Sequence, residues 1–391
     1  MTTHSKPSPE QILKARADNP KMRERDFAQS LGISEADFVA AHCGQDAAVP
    51  ISARRVRADV ETLLNRIGAV GEIMALTRNE SVVHEKIGPF EKTIWGPHAS
   101  LALGKEIDLR IFPKHWVHGF AVSKQDGEAK RRSLQFFDAT GEAVFKIHLR
   151  PASNVEAYEA LVSDLLLEDQ SPFIETSALA PKGPKADISL LDIDAFRERW
   201  GALTDVHQFV GLLKDFGVDR HQAVHLAGHN FAWRVDTSSV EAMMNQAVQE
   251  KLPIMCFVGS RGCIQIHTGP ILEIKMMGPW LNVLDPTFHM HLRVDHIADV
   301  WVVRKPTKDG HVTSLEAYDA RGELIVQFFG ERHEGEVELA DWRMLAESLP
   351  RLPQSSAAEG EDNDDHVLTL QAWSRTGCHR TVDGSCRCRS R

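Results

Sequence analysis

The segment Ser133-Leu134-Gln135-Phe136-Phe137-Asp138-Ala139-Thr140-Gly141-Glu142 decides the fold, because a second version of it follows as Ser314-Leu315-Glu316-Ala317-Tyr318-Asp319-Ala320-Arg321-Gly322-Glu323. Moving residues 109–144 forward by 181 places them on 290–325 without a gap, and nine of the 36 columns are identical. Unrelated columns would agree at roughly two or three positions at ordinary residue frequencies. His115, Val122 and Lys124 fall on His296, Val303 and Lys305, and Gly88-Pro89 falls on Gly269-Pro270 at the same offset. A constant offset over this length marks an internal duplication.

Working outward from that segment, each half reads helical first and extended later. Residues 34–43, with Phe38, Val39 and Ala40, stop at Gly44, and residues 55–67 space Val56, Val60, Leu63, Leu64 and Ile67 as one helical face. From Glu72 short apolar runs split by Gly, Pro and Asn predict antiparallel strands. The second half repeats the order, with helices near 191–201, 205–216, 219–227 and 238–250, then strands from Ile254 to Phe329. Asp138-Ala139-Thr140-Gly141 and Asp319-Ala320-Arg321-Gly322 predict hairpin turns. Helices followed by a run of strands predict an α+β fold, here two similar halves, each with N-terminal helices and a large antiparallel sheet. The expected boundaries are a first half at 1–167, a Pro-, Ser- and Lys-rich linker at 168–187, a second half at 188–350 and a disordered tail at 351–391.

Composition narrows the function classes. The 391-residue chain is 42% hydrophobic and 26% charged, with net charge -10 and pI near 6.0, which argues against a nucleic-acid partner. Met1 to Pro9 lacks the apolar stretch of a secretory signal, and no run nears the roughly 18 apolar residues of a membrane span. A cytoplasmic protein, not integral to a membrane, is expected. Cys43, Cys256 and Cys263 show no metal-ligand spacing and read as free thiols. In the tail, Cys378, His379, Cys386 and Cys388 offer metal-binding groups at a spacing that matches no established zinc pattern.

No phosphate loop, nucleophile elbow or paired-carboxylate motif is present, and the candidates lie among 19 histidines and the basic residues near them. Thr204-Asp205-Val206-His207-Gln208 reads as a helix start, with Asp205 as N-cap and Gln208 closing a capping box. His207 would then sit in the first turn, where the helix dipole favours the neutral, metal-binding imidazole. Taken alone, it reads first as a histidine making a local hydrogen bond. Arg110 lies in Glu106-Ile107-Asp108-Leu109-Arg110-Ile111-Phe112, whose alternation puts Asp108, Arg110 and Phe112 on one face. It either pairs with Asp108 or points into a cleft. Arg220, Lys305 and Arg332 suit carboxylate recognition but, unaided, read as surface charges. The residues alone leave a duplicated, histidine-rich α+β protein with an unidentified ligand.

Several ordered segments resemble one family, the HemS/ChuS/HmuS-type bacterial hemin-degrading and heme-trafficking proteins. They are Arg78-Asn79-Glu80 with Val83-His84-Glu85, Ile107 to Phe112, Thr204 to Phe209, Phe257 to Ile266, Gly278-Pro279-Trp280-Leu281-Asn282, and Arg304 to Gly310 followed by Val312 to Glu316. The resemblance covers roughly residues 10–350. It implies heme (iron protoporphyrin IX) in a cleft between the halves, with His207 as the proximal iron ligand. Arg110 from the other half matches the distal arginine and the candidate catalytic position. Arg220 and Lys305 match basic positions near the propionates, and Gln327, Phe329 and Arg332 match a Gln-x-Tyr-Gly-x-Arg segment in which Phe329 replaces the tyrosine. His84 matches a histidine implicated in a second, N-terminal heme site.

The resemblance leaves two functions open. One is a carrier in heme and iron utilisation that accepts heme from an importer on the cytoplasmic side and passes it to a heme-accepting enzyme or releases its iron. The other is an oxygenase-like enzyme that opens the porphyrin with an external electron donor. A third reading keeps the fold and binds another flat ligand.

Overall fold

The structure is a computed structural model that describes residues 6–45, 49–179, 186–332 and 335–353. The first repeat opens with helices α1 (Pro9–Asp18), α2 (Glu24–Ser30) and α3 (Glu35–Ala40), then strand β1 (Ile51–Val56) and helix α4 (Val60–Arg66). Eight strands follow: β2 (Ile73–Arg78), β3 (Val82–Gly88), β4 (Lys92–Ile94), β5 (Ser100–Leu103), β6 (Asp108–Ile111), β7 (His118–Asp126), β8 (Ala129–Phe137) and β9 (Ala143–Leu149). Helix α5 (Val155–Leu165) closes the repeat. The second repeat has the same order: α6 (Ile193–Gly201), α7 (Gln208–Phe216), α8 (Arg220–Leu226), β10 (Ala232–Val235) and α9 (Ser239–Glu250). Then come β11 (Ile254–Gly259), β12 (Cys263–Gly269), β13 (Ile274–Met277), β14 (Trp280–Leu284), β15 (Phe288–Arg293), β16 (Asp299–Thr307), β17 (Gly310–Tyr318) and β18 (Leu324–Gly330), with α10 (Ala340–Ser348) last.

The duplication holds strand by strand. β11, β12, β16, β17 and β18 each start 181 residues after β2, β3, β7, β8 and β9. Both hairpin turns use the same chemistry. Asp138 Oδ1 accepts from the backbone N–H of Thr140 (2.8 Å) and Glu142 (3.2 Å), and Asp319 Oδ1 accepts from Arg321 (2.8 Å) and Glu323 (2.9 Å). Gly141 and Gly322 supply the positive φ that closes each turn.

The repeats do not keep their strands to themselves. One nine-stranded sheet runs β1-β7-β8-β9-β2-β3-β15-β14-β13, and the other runs β10-β16-β17-β18-β11-β12-β6-β5-β4. Each repeat therefore builds six strands of one sheet and lends three to the other. The exchange is sealed by the antiparallel pairs β3–β15 and β12–β6, in which His84 faces Met290 and Ile264 faces Arg110. The described residues up to Leu352 form one compact unit.

Alternation divides each sheet into an inner and an outer face. The inner faces meet in two apolar clusters that mix strands of both repeats, such as Val82 with Val258 and Val302, and Leu109 with Leu134 and Cys263. Helices α4 and α5 extend one cluster, and α9 and α10 extend the other. On the outer faces, α1–α3 pack over Phe120, Val122 and Phe137, while α6–α8 pack over Trp301, Val303 and Tyr318. Cys43, Cys256 and Cys263 are buried free thiols, as expected; burial raises all three, Cys43 and Cys263 to about 12.

One local expectation is corrected. The helix read over 55–67 begins only at Val60. Its first residues finish β1, where the alternation of Ala53 and Val56 pairs with β7, and Asp59 caps the helix by accepting from Thr62 N (3.1 Å). The first part of the expected linker is hydrogen-bonded to the first repeat. Gln170 bonds both backbone groups of Arg55 (2.8 and 3.0 Å), and Ser177 N donates to Ala139 O (2.7 Å). Residues 180–185 of that linker and the tail with Cys378, His379, Cys386 and Cys388 lie outside the described residues.

Candidate functional site

The outer face of the second sheet carries most of the predicted residues. Direct cross-strand partners share a face, so one row runs Glu316, Gln327, Phe257, Ile266, Asp108 across β17, β18, β11, β12 and β6. The next rows bring Phe329 beside Met255, and Gly259 and Ile264 beside Arg110. Helices α6–α8 cover only the β16–β17 end of this face. Beyond them Met255, Phe257, Ile264 and Phe329 remain half-buried, with Phe257 and Phe329 in edge contact at 5.0 Å. Three strand spacings separate Gln327 from Asp108, about 14 Å, which is a platform for a flat ligand.

His207 is the residue before α7, one of the helices that pack on the β16–β17 end of this face, and it is exposed. The capping arrangement is shifted from the expected one. Asp205 Oδ1 accepts from His207 N (2.7 Å), but Gln208 Oε1 reaches Thr204 N (2.9 Å) and not Asp205. The reason is a tight turn inserted ahead of the helix, in which Gln208 N donates to Asp205 O and Phe209 N to Val206 O. The helix is anchored by Phe209, which is buried beneath two cations, Arg220 at 5.0 Å and Lys305 at 4.9 Å from its ring centroid.

Arg110 comes from the first repeat yet sits on the second repeat's sheet, because β6 is one of the exchanged strands. Of the two readings, the structure shows the pair with Asp108. Its guanidinium is ion-paired with Asp108, and its side chain keeps 36% of its surface on the open face.

The basic residues are less free than the sequence suggests. Glu316, which sequence reasoning missed, is fully buried and is their hub. Its carboxylate accepts from Lys305 Nζ (2.7 Å), Gln327 Nε2 (2.9 Å), Ser314 Oγ (2.9 Å), Tyr318 Oη (2.5 Å) and Arg220 Nη1 (3.3 Å). Burial alone would raise its carboxyl; Lys305 and Arg220 outweigh that and hold it well below the ordinary range. Lys305 is 5% exposed and points into this hub, whereas Arg220 keeps 28% of its side chain exposed. Arg332 is half-buried, and its Nε has no partner among the described residues. A charged residue inside an otherwise alternating apolar strand, as in Ser314-Leu315-Glu316-Ala317-Tyr318, was the signal for Glu316.

His84 is not brought to this face. It lies in the inner core, 0% exposed, against the Phe288 ring at 5.0 Å, and neither ring nitrogen has a partner among the described residues. Burial, with His267 and Lys86 nearby, pushes its pKa well below the usual value, so the ring is neutral.

Fold and site define a class: duplicated α+β chains that exchange strands between two large sheets, leave part of one outer face open and carry an exposed histidine at the start of a helix packed on that sheet. The chain belongs to the haemin-degrading HemS.ChuX domain family, whose sequence model matches residues 32–165 and 217–349. It is 39% identical over 335 residues to the hemin transport protein HemS of Yersinia enterocolitica, covering 85% of this chain and 94% of that one. It resembles the solved structure of holo-PhuS, a heme-binding protein from Pseudomonas aeruginosa, at 43% identity and a TM-score of 0.85, covering 88% of this chain and all of the other. It also resembles the heme degrading enzyme ChuS of Escherichia coli O157:H7 at 36% identity and a TM-score of 0.78, covering 86% and 97% of the two chains.

Proposed function

We propose that the chain is a heme-binding protein of heme and iron utilisation, which holds heme on the outer face of the second sheet with His207 as the iron ligand. The observation that carries this reading is the half-buried apolar platform of Met255, Phe257, Ile264 and Phe329, with Arg110 of the other repeat on the same face and an exposed imidazole at the start of α7, whose Phe209 packs against Arg220 and Lys305. A porphyrin's apolar faces fit such a surface. A neutral imidazole is a strong axial ligand, and one such ligand leaves the opposite face of the iron accessible. Arg220 and Arg332 supply the cations for the propionates, while Lys305 acts by holding Glu316 and so Arg220 in place. Among the described residues no helix is long and apolar enough to cross a membrane. We assign the protein to the cytoplasm, where it takes heme from an importer and delivers it to an acceptor enzyme.

A second reading, degradation of the bound heme, rests on Arg110. Its guanidinium lies on the open face, where it can hydrogen-bond a ligand on the far side of the porphyrin. Heme supplies the redox chemistry; the chain orients it and keeps its faces from water.

Anaerobic titration of hemin into the wild type and a His207→Ala variant tests the site. A saturable Soret band that shifts and weakens at least roughly tenfold in affinity in the variant is expected, by the cost of losing one axial ligand. An unchanged band would remove His207 from the iron. Adding ascorbate and air to the complex then separates carrier from enzyme: a stable band means transfer, and decay that persists with catalase present means degradation.

A further inference from the structure

We propose that His221, His225 and Asp299 form a binding site for a first-row divalent metal ion of the zinc class, separate from the porphyrin platform. His221 and His225 are four residues apart on α8, so their side chains share one face of the helix. That face lies over Asp299, the first residue of β16. His221 Nε2 is 2.9 Å and His225 Nε2 is 3.5 Å from the same oxygen, Asp299 Oδ2, and the three donor atoms lie within 4.8 Å of one another. Zinc–nitrogen and zinc–oxygen bonds of about 2.0–2.2 Å at tetrahedral angles put neighbouring ligand atoms roughly 3.3–3.6 Å apart. The spacing here brackets that value, so an ion can enter with small side-chain shifts.

The surroundings are those of a held ligand set. Arg234 Nε donates to Asp299 Oδ1 (2.5 Å) and Trp301 Nε1 to Oδ2 (2.8 Å), fixing the carboxylate as outer partners fix metal ligands. Arg234 is 45% exposed, so solvent screens its charge from an incoming cation. The rings are braced as well: His221 packs on Tyr318 at 4.9 Å, His225 on Trp301 at 4.6 Å, and the two imidazoles meet edge-on at 4.7 Å. Gly322 shapes the remaining wall, since a Cβ there would fall 2.7 Å from His221 Nδ1.

Two imidazoles compete for an oxygen that already accepts a Trp N–H, and a cation that takes a lone pair from each ring relieves that crowding. Two nitrogens and one carboxylate also match the three-ligand sets that leave a coordination position for solvent or a further ligand. His225, 47% exposed, places that position toward solvent. Asp299 lies on β16, three strand spacings or roughly 14 Å from Phe257 on β11, so the site adjoins the Glu316 hub and is not the platform.

The test is titration of the heme-free, full-length chain with Co2+, read by its visible ligand-field bands, and with Zn2+ by calorimetry, in wild type, His225→Ala and His221→Gln. The tail's cysteines are present in all three proteins, so the quantity read is what the variants lose. We expect wild type to show tetrahedral Co2+ bands that weaken at least roughly tenfold in affinity in both variants, with any thiolate charge transfer from the tail the same in all three proteins. His225 is exposed enough for its truncation to leave the fold intact, which near-UV circular dichroism checks. Equal stoichiometry, with affinities within about twofold in all three proteins, would overturn the site and leave a hydrogen-bonded cluster.

Discussion

Replacing Glu316 by Gln keeps its shape and removes its charge, and the structure says what that costs. Lys305 is 5% exposed and would face a neutral amide at the distance where it now meets a carboxylate, 2.7 Å. Arg220, with 28% of its side chain exposed, can turn to solvent, so the penalty falls on Lys305. Removing one partner of a buried ion pair costs about 3–5 kcal/mol. For a domain larger than 150 residues each kcal/mol lowers Tm by about 2 °C, which predicts a fall of roughly 6–10 °C for Glu316→Gln at neutral pH. Calorimetry of the heme-free protein measures this. Adding Lys305→Met to the same chain removes the stranded charge and should recover most of the loss.

The pH dependence has a definite sign. Glu316 has a folded-state pKa held below its unfolded value, so its contribution is fully present above the ordinary glutamate value near 4.3 and disappears as pH falls toward the folded one. Wild type should therefore lose stability more steeply than Glu316→Gln below about pH 4.3, and the two Tm curves should converge in acid. A Tm difference under about 2 °C at neutral pH, or no recovery in the double variant, would refute the hub.

Two further outcomes follow. Arg110→Ala should change stability by less than about 1 kcal/mol, since its pair with Asp108 is partly exposed, and should leave hemin affinity within a few-fold while slowing any decay of the bound heme; thermal melts and hemin titration check both. His84→Leu removes two buried nitrogens that lack partners, so it should be neutral or stabilising by about 1 kcal/mol with unchanged hemin stoichiometry, and a lost heme equivalent would show instead that His84 binds iron.

The duplication was legible because two hairpins solved the same turn with the same Asp and Gly, and that solution survives sequence drift. The strand exchange was not, because period-2 alternation states which face a residue takes and not which sheet its strand joins. That gap explains His84. In Val83-His84-Glu85 alternation alone leaves either face open, and only the pairing of β3 with β15 sets Met290 opposite His84 and turns both into the core. His207 and Arg110 were legible as a helix start and an alternating strand. That they share one site is what the family resemblance implies, since 97 residues and two repeats separate them. Lys305 was read as a surface cation because cations were weighed without asking for a buried anion, and Glu316 is that anion.

The repeats also explain why the open platform belongs to one of them. At the same offset, Met255, Phe257, Ile264 and Phe329 correspond to Met74, Leu76, Val83 and His148, so the first sheet has a comparable surface. The charged group beside it is inverted, however. There the carboxylate is Glu35, the first residue of α3, paired with Arg78 and Lys146, and all three are nearly buried. Arg78 stands where the second repeat has Gly259, on the outer face beside Ile264 and Arg110. Gly259 is not required by packing or backbone: its φ is not in the left-handed region, and a Cβ there would meet nothing nearer than Ile264 Cγ1 at 3.7 Å. Its missing side chain is then best explained as room for a ligand. Gly259→Arg, which carries the first repeat's residue into the second, should fold with unchanged or slightly raised Tm, because glycine weakens a strand. It should also lower hemin affinity at least roughly tenfold, a cost of about 1.4 kcal/mol. A Gly259→Arg protein that folds and binds hemin as the wild type does would place the porphyrin elsewhere.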